Sequence, residues 1–383
     1  MTTRPTTHNP FTYGVAVTDD AFTDRGRELA ELEADLRNGQ NVVVIAPRRY
    51  GKSSLVRAAL RRLAGEGVLV VEVDLMTTPT KERFAAKLAK SIHDDLATAV
   101  FRARERVRVF SSLRIAPSMT VDTDGRMTFG FSAARDPGDI DATIERLLEL
   151  PAEIAAEKRK RVVVYFDEFQ EVTRLDPHLP GLMRSVFQWQ REVAHVYAGS
   201  KREMMHRLFN DRNEPFYRSA KTMEIDAIEL SVFASFVRAQ FDRTDRGIED
   251  SSLDRLLAVT RGHPHATQQL AYALWEEVPE GFAASDDDVE AALRAVLRAE
   301  NARFTLLWDS ATPPQKLLLQ AFAREAGRPF SNAYRIAHEL PPSSGVQRAL
   351  RPLLAQELVR KEPDGSYDVA EPFLREWVLA FAT

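Results

Sequence analysis

Four β-branched residues in a row, Val42 to Ile45, run into the loop APRRYGKS and then straight into SSLVRAALRRLAG, whose apolar spacing is helical. A continuous apolar run suits a strand buried on both faces, and such strands belong to parallel sheets covered by helices. The loop leaving that strand, Ala46 to Ser54, ends in Gly51-Lys52-Ser53-Ser54. Between a strand and a helix N-terminus, backbone N–H groups and the helix dipole can hold phosphate oxygens. Lys52 would reach the β and γ phosphates of ATP, and Ser53 would ligate Mg²⁺. Pro47, Arg48, Arg49 and Tyr50 fill the loop, and Ala46 stands where the pattern G-x-x-x-x-G-K-[ST] has its first glycine. A lone GKS in a surface turn would carry little; here strand and helix flank it as the chemistry requires.

A second signal lies in VVVYFDEFQ, where Asp167 and Glu168 end another apolar strand. At a strand's carboxyl end one carboxylate can hold Mg²⁺ and its neighbour can orient a water toward a γ-phosphate. Two acids at such a place also read as a plain turn start. Ser200, leaving the strand HVYAGS, could contact that water or the γ-phosphate, or be only a small polar residue at a strand end. Arg218, in EPFYRSAK, could serve as an arginine finger. Arg202, Arg207 and Arg212 compete with it, and a basic solvated face is the alternative for all four.

Around these motifs the texture alternates strand and helix. FTDRGRELAELEADLRNG repeats Leu29, Leu32 and Leu36 at helical spacing; VLVVEVDL reads as a strand, and KERFAAKLAKSIHDDLATAV as a helix. Residues 106 to 133 alternate around Asp124-Gly125, which predicts an inserted β-hairpin. A helix near 139 to 159, a strand from 161 to 166, a helix around 179 to 194, the strand HVYAGS and the strand-like TMEIDAIEL complete the expected nucleotide domain at 1–230. Helical spacing throughout 231–300 predicts a lid domain. Residues 301–383, with three helices and two short strands joined at Asp364-Gly365, predict a winged helix. Pro352 is expected to kink or end the third of those helices.

Composition sets the outer limits. The chain has 383 residues, 44% hydrophobic and 28% charged, which suits folded domains rather than a disordered chain. It contains no cysteine, so disulfides, thiolate nucleophiles and zinc fingers drop out and a reducing cytoplasm is expected. Neither a signal-peptide run nor a membrane-spanning stretch is present in the sequence, and no membrane partner is expected. With a net charge of -4, the molecule as a whole does not attract a polyanion, so any nucleic-acid contact must be a local patch.

NPFTYG and FTDRGREL at the start, PRRYGKSSL, VVVYFDEFQEV, the GS after the next strand, PFYR and RGHPHATQQLAYALW together resemble the archaeal-type ATPase family, in the STAND branch of the AAA+ class. The resemblance spans nearly the whole chain. It implies a P-loop α/β domain with an inserted hairpin, a helical lid and a C-terminal winged helix. It also implies that Phe11, Phe22 and Arg25 lie near the base, and that Gly262 and Pro264 form the lid turn. From the residues alone, Phe11 and Phe22 read as core, and GHP as a helix start. The sequence departs from the family at Ala46 and in lacking a glycine before the PFYR arginine.

Two outputs are compatible with this engine. If SSGVQRALR enters a DNA groove, Ser343, Ser344, Gln347, Arg348 and Arg351 face the bases and phosphates. The acids Glu339, Glu357, Glu362, Asp364 and Asp368 stand in the same region, so the alternative is that the winged helix folds back on the nucleotide domain or meets a protein, whether a partner or a second copy. The run Arg102, Arg104, Arg106 and Arg108, with Arg114 and Arg126, reads as a solvated face or as a partner or nucleic-acid contact.

Overall fold

The computed structural model describes residues 8–14, 25–97, 116–121, 127–132, 137–362 and 364–382. Two compact units emerge, one spanning Thr18–Asp226 and the other combining Met1–Val17 with Ala227–Thr383.

The first unit is built on a parallel sheet of β1 (Val42–Ile45), β2 (Leu69–Asp74), β5 (Val162–Asp167), β6 (Val193–Gly199) and β7 (Lys221–Glu224), in the order β2-β5-β6-β1-β7. Alternation along β1 divides its side chains between two cores. Val42 and Val44 pack with Leu29, Leu32 and Leu36 of α1 (Gly26–Arg37) and with α2 (Lys52–Gly65); Val43 and Ile45 face Phe84 and Leu88 of α3 (Lys81–Ser91) and the helix Pro137–Lys158. Because both faces are covered, the strands can be apolar throughout, and every residue of β6 is buried.

Between α3 and that last helix, β3 (Ala116–Val121) and β4 (Met127–Ser132) pair antiparallel, as the inserted hairpin requires. The Asp124-Gly125 turn and the arginines at 102, 104, 106, 108, 114 and 126 lie outside the described residues. The helix expected over 179 to 194 is shorter, ending at Phe187. A hydrogen-bonded turn follows it, with Trp189 N–H donating to Val186 O (3.3 Å) and Gln190 N–H to Phe187 O (3.1 Å), and β6 begins at Val193, which pairs with Val162 across the sheet.

In the second unit, helices Leu230–Asp242, Asp250–Thr260, Pro264–Glu277 and Asp286–Ser310 precede a winged helix. The latter comprises Pro313–Arg324, Asn332–Ala337, Ser343–Ala355, the antiparallel strands Val359–Lys361 and Tyr367–Val369, and a closing helix Pro372–Phe381 that the sequence reading did not single out. A single apolar core runs through all of them, from Phe233 and Leu270 to Phe322 and Trp377. The helix Asp286–Ser310 passes through position 300, where a domain boundary was expected. Pro352 does not end its helix: the run continues to Ala355, with Gln356 N–H donating to Pro352 O (2.9 Å) and the buried Leu350 and Leu353 anchoring the turn around it. Among the described residues no helix is long and apolar enough to cross a membrane.

Candidate functional site

Three neighbouring strands, β5, β6 and β1, deliver the site residues at their carboxyl ends. The loop after β1 turns into α2 through Gly51, whose φ of 80° is left-handed and favours glycine. Arg49 (φ 68°) and Glu168 (φ 51°) also hold left-handed backbones, strained for residues with side chains, and both sit at this site. Ala46 is fully buried, and its N–H donates to Gly199 O (3.3 Å), tying the loop to β6. Leu55 N–H donates to Gly51 O (2.9 Å), so α2 is hydrogen-bonded from its first turn. Tyr50 and Ser54 are buried, Pro47 half-buried, and Arg48 and Arg49 exposed.

Lys52 is 6% exposed, and its Nζ donates to Asp167 Oδ1 (2.7 Å) and Glu168 Oε1 (3.1 Å). Ser53 Oγ donates to Asp167 Oδ2 (2.9 Å). Burial acts to raise both carboxyl pKa values; the Lys52 charge, with hydrogen bonds to each acid, outweighs it and leaves both below their ordinary values. Both acids are therefore ionised at neutral pH. Ser53 and Asp167 present two hard oxygen donors side by side, a set that fits Mg²⁺, which takes one or two protein oxygens and completes its shell with water and phosphate.

Ser200 is 2% exposed, and its Oγ donates to Glu168 Oε2 (2.7 Å). It thus stands behind the carboxylate. Gln170, which the sequence reading passed over, donates from Nε2 to the same oxygen (2.5 Å) and is fully buried. Its place two residues after Glu168 in DEFQ was the only signal available. Arg25, 4% exposed, donates to Tyr50 O (3.2 Å) and Asp226 O (2.6 Å), bracing the loop backbone. Arg218 is exposed, with its guanidinium 5.4 Å from the Tyr217 ring centroid and no hydrogen bond or ion pair to the acidic cluster among the described residues.

The remaining expected residues fall elsewhere. Phe22 lies outside the described residues. Phe11 is 1% exposed in the second unit's core, against Phe236 and Phe241, and so is packed as core rather than offered as a platform. Gly262 (φ 72°) accepts from Ile228 N–H (2.9 Å) through its carbonyl, and Pro264 opens the helix Pro264–Glu277 behind the cap His263. Ser343, Ser344, Gln347, Arg348 and Arg351 share the exposed side of their helix, opposite the buried Val346, Ala349, Leu350 and Leu353.

This geometry has a counterpart among known sequences. The pattern of ATPase domains predominantly from Archaea matches residues 22–270. The chain belongs to that family. A probable winged helix domain matches residues 302–380 of the same chain. Among solved structures, the chain is similar to the Walker-type ATPase PABY2304 of Pyrococcus abyssi, with 17% identity and a TM-score of 0.65 over 94% of this chain and 97% of the other. It is also similar to the ORC2 protein of Aeropyrum pernix, with 14% identity and a TM-score of 0.52 over 93% of each chain. At these identities the likeness is one of fold. No curated protein matches the sequence.

Proposed function

We propose that this ATPase-family protein binds ATP with Mg²⁺, hydrolyses it, and uses the nucleotide state as a conformational or assembly switch in the cytoplasm. The observation that carries the reading is Lys52, which holds Asp167 and Glu168 together at 2.7 and 3.1 Å beside Ser53. Phosphate oxygens would compete with these acids for Lys52. Mg²⁺, held by Ser53 and Asp167, would supply charge neutralisation on the phosphates. Glu168 would orient a water whose oxygen bonds to the γ-phosphorus as the bond to the β–γ bridging oxygen breaks. ADP then leaves with that electron pair, and the water's protons pass to Glu168 and the released phosphate. The A. pernix ORC2 structure was obtained as ADPNP–ADP complexes, which supports a nucleotide ligand on this fold. Release of phosphate from ATP with Mg²⁺, slowed about a hundredfold by Glu168→Gln while ATP still binds, tests the enzyme; turnover unchanged in that variant removes Glu168 from the role.

For the output we favour DNA association through the winged helix, because Arg348 and Arg351 lie with three polar residues on one exposed helical face. A STAND-type signalling switch that binds a protein partner with little turnover is the second reading. It is favoured by the acids around that face, including the exposed Glu339 and Asp364. A salt titration of DNA binding with and without ATP separates the two: a steep negative slope supports DNA, and no binding at low salt removes it.

A further inference from the structure

We infer that Gln170 is a positioning residue for hydrolysis, fixing Glu168 by one carboxylate oxygen so that the other is left for the attacking water; this rests on the ATPase reading above. Glu168 Oε2 accepts from both Ser200 Oγ (2.7 Å) and Gln170 Nε2 (2.5 Å), whereas Oε1 accepts from Lys52 (3.1 Å). The two oxygens are thus held unequally. Oε2 is bound by a neutral hydroxyl and a neutral amide, while Oε1 is bound by a cation for which phosphate oxygens compete.

The fold is built to put that amide there. Left-handed backbone at Glu168 (φ 51°, ψ 46°) turns the chain into the short 3-10 helix Phe169–Glu171 and brings Gln170 back over its own neighbour. Phe169, fully buried against Tyr197 (4.7 Å between centroids) and Phe216 (5.3 Å), pins the turn. Gly199 leaves the room: a Cβ there would lie 2.6 Å from Gln170 Oε1 and also press on Met205. Gln170 Oε1 is buried with no hydrogen-bond partner, so the amide keeps its donor on Glu168 although its acceptor is left unsatisfied.

The test pairs turnover with a readout that needs none. Gln170→Leu removes the donor at similar volume, and Gln170→Asn withdraws it by one methylene if the first variant folds poorly. Turnover should fall at least tenfold in kcat, with KM and the affinity for a fluorescent ATP analogue within about threefold of wild type. Separately, Gln170→Leu should lower Tm by roughly 3 °C or more in the wild-type background and by less than half of that in a Glu168→Ala background. Equal melting shifts in both backgrounds, or a kcat unchanged beside an active wild type, would overturn the inference. A wild type that binds but never hydrolyses ATP defeats the ATPase reading instead, and the melting cycle alone then decides whether Gln170 holds Glu168.

Discussion

Lys52 Nζ lies 2.7 Å from Asp167 Oδ1, so the cation of the phosphate loop and the acid that ends β5 form a nearly buried ion pair across two elements 115 residues apart in sequence. The pair ties α2 to β5, an interior strand of the sheet. Its strength also sets what a phosphate must compete with.

Replacing Lys52 with Ala should therefore act twice. ATP affinity should weaken at least about thirtyfold, the worth of one charge-assisted hydrogen bond at about 2 kcal/mol. The protein should also lose stability, because Asp167 and Glu168 are left adjacent, half-buried and without their cation. Calorimetric titration with ATP and thermal melting measure the two effects; unchanged affinity would show that Lys52 does not hold phosphate.

Glu168→Gln keeps the shape and the hydrogen bond from Ser200 but removes the charge. ATP should remain bound with an affinity close to wild type while turnover falls about a hundredfold, the usual worth of a positioned general base. Single-turnover release of phosphate separates these steps.

At the lid turn, Gly262 has a φ of 72°, and a Cβ there would press directly into the Ile228 carbonyl. Gly262→Ala should destabilise the second unit by about 1–3 kcal/mol. Urea unfolding followed by the fluorescence of the buried Trp275 and Trp377 reports it. A shift of zero would mean that the turn can reorganise.

Stability should also depend on His195, fully stacked in the sheet core at 4.0 Å from the Phe187 ring. Burial lowers its pKa to about 3, so the folded protein keeps it neutral while an unfolded chain takes up a proton near pH ~6.5. The unfolded state then binds more protons throughout that window. His195 thus contributes stability that is full above pH ~6.5 and is lost as the pH falls toward 3. Unfolding midpoints at pH 7 and pH 5 should converge in His195→Leu relative to wild type.

For the winged helix, Arg348→Ala and Arg351→Ala should each weaken DNA binding and reduce the salt slope by about 1 if each contacts a phosphate. Equal slopes for wild type and both variants favour the protein-partner reading.

Local pattern and tertiary context contributed differently to this protein. Sequence alone was enough for the strand-loop-helix of β1 and α2 and for the acid pair ending β5. It was enough for the helical face of Leu29, Leu32 and Leu36 too, because each is set by interactions within a few residues or by a period matched to one buried face. Only the tertiary structure decided that Lys52, Ser53, Asp167, Glu168, Gln170 and Ser200 form one hydrogen-bonded cluster, since strand order brings β5 and β6 beside β1. It likewise ended one helix at Phe187 and carried another through Pro352. In each case the deciding energy came from partners far away in the chain, which a local period cannot register.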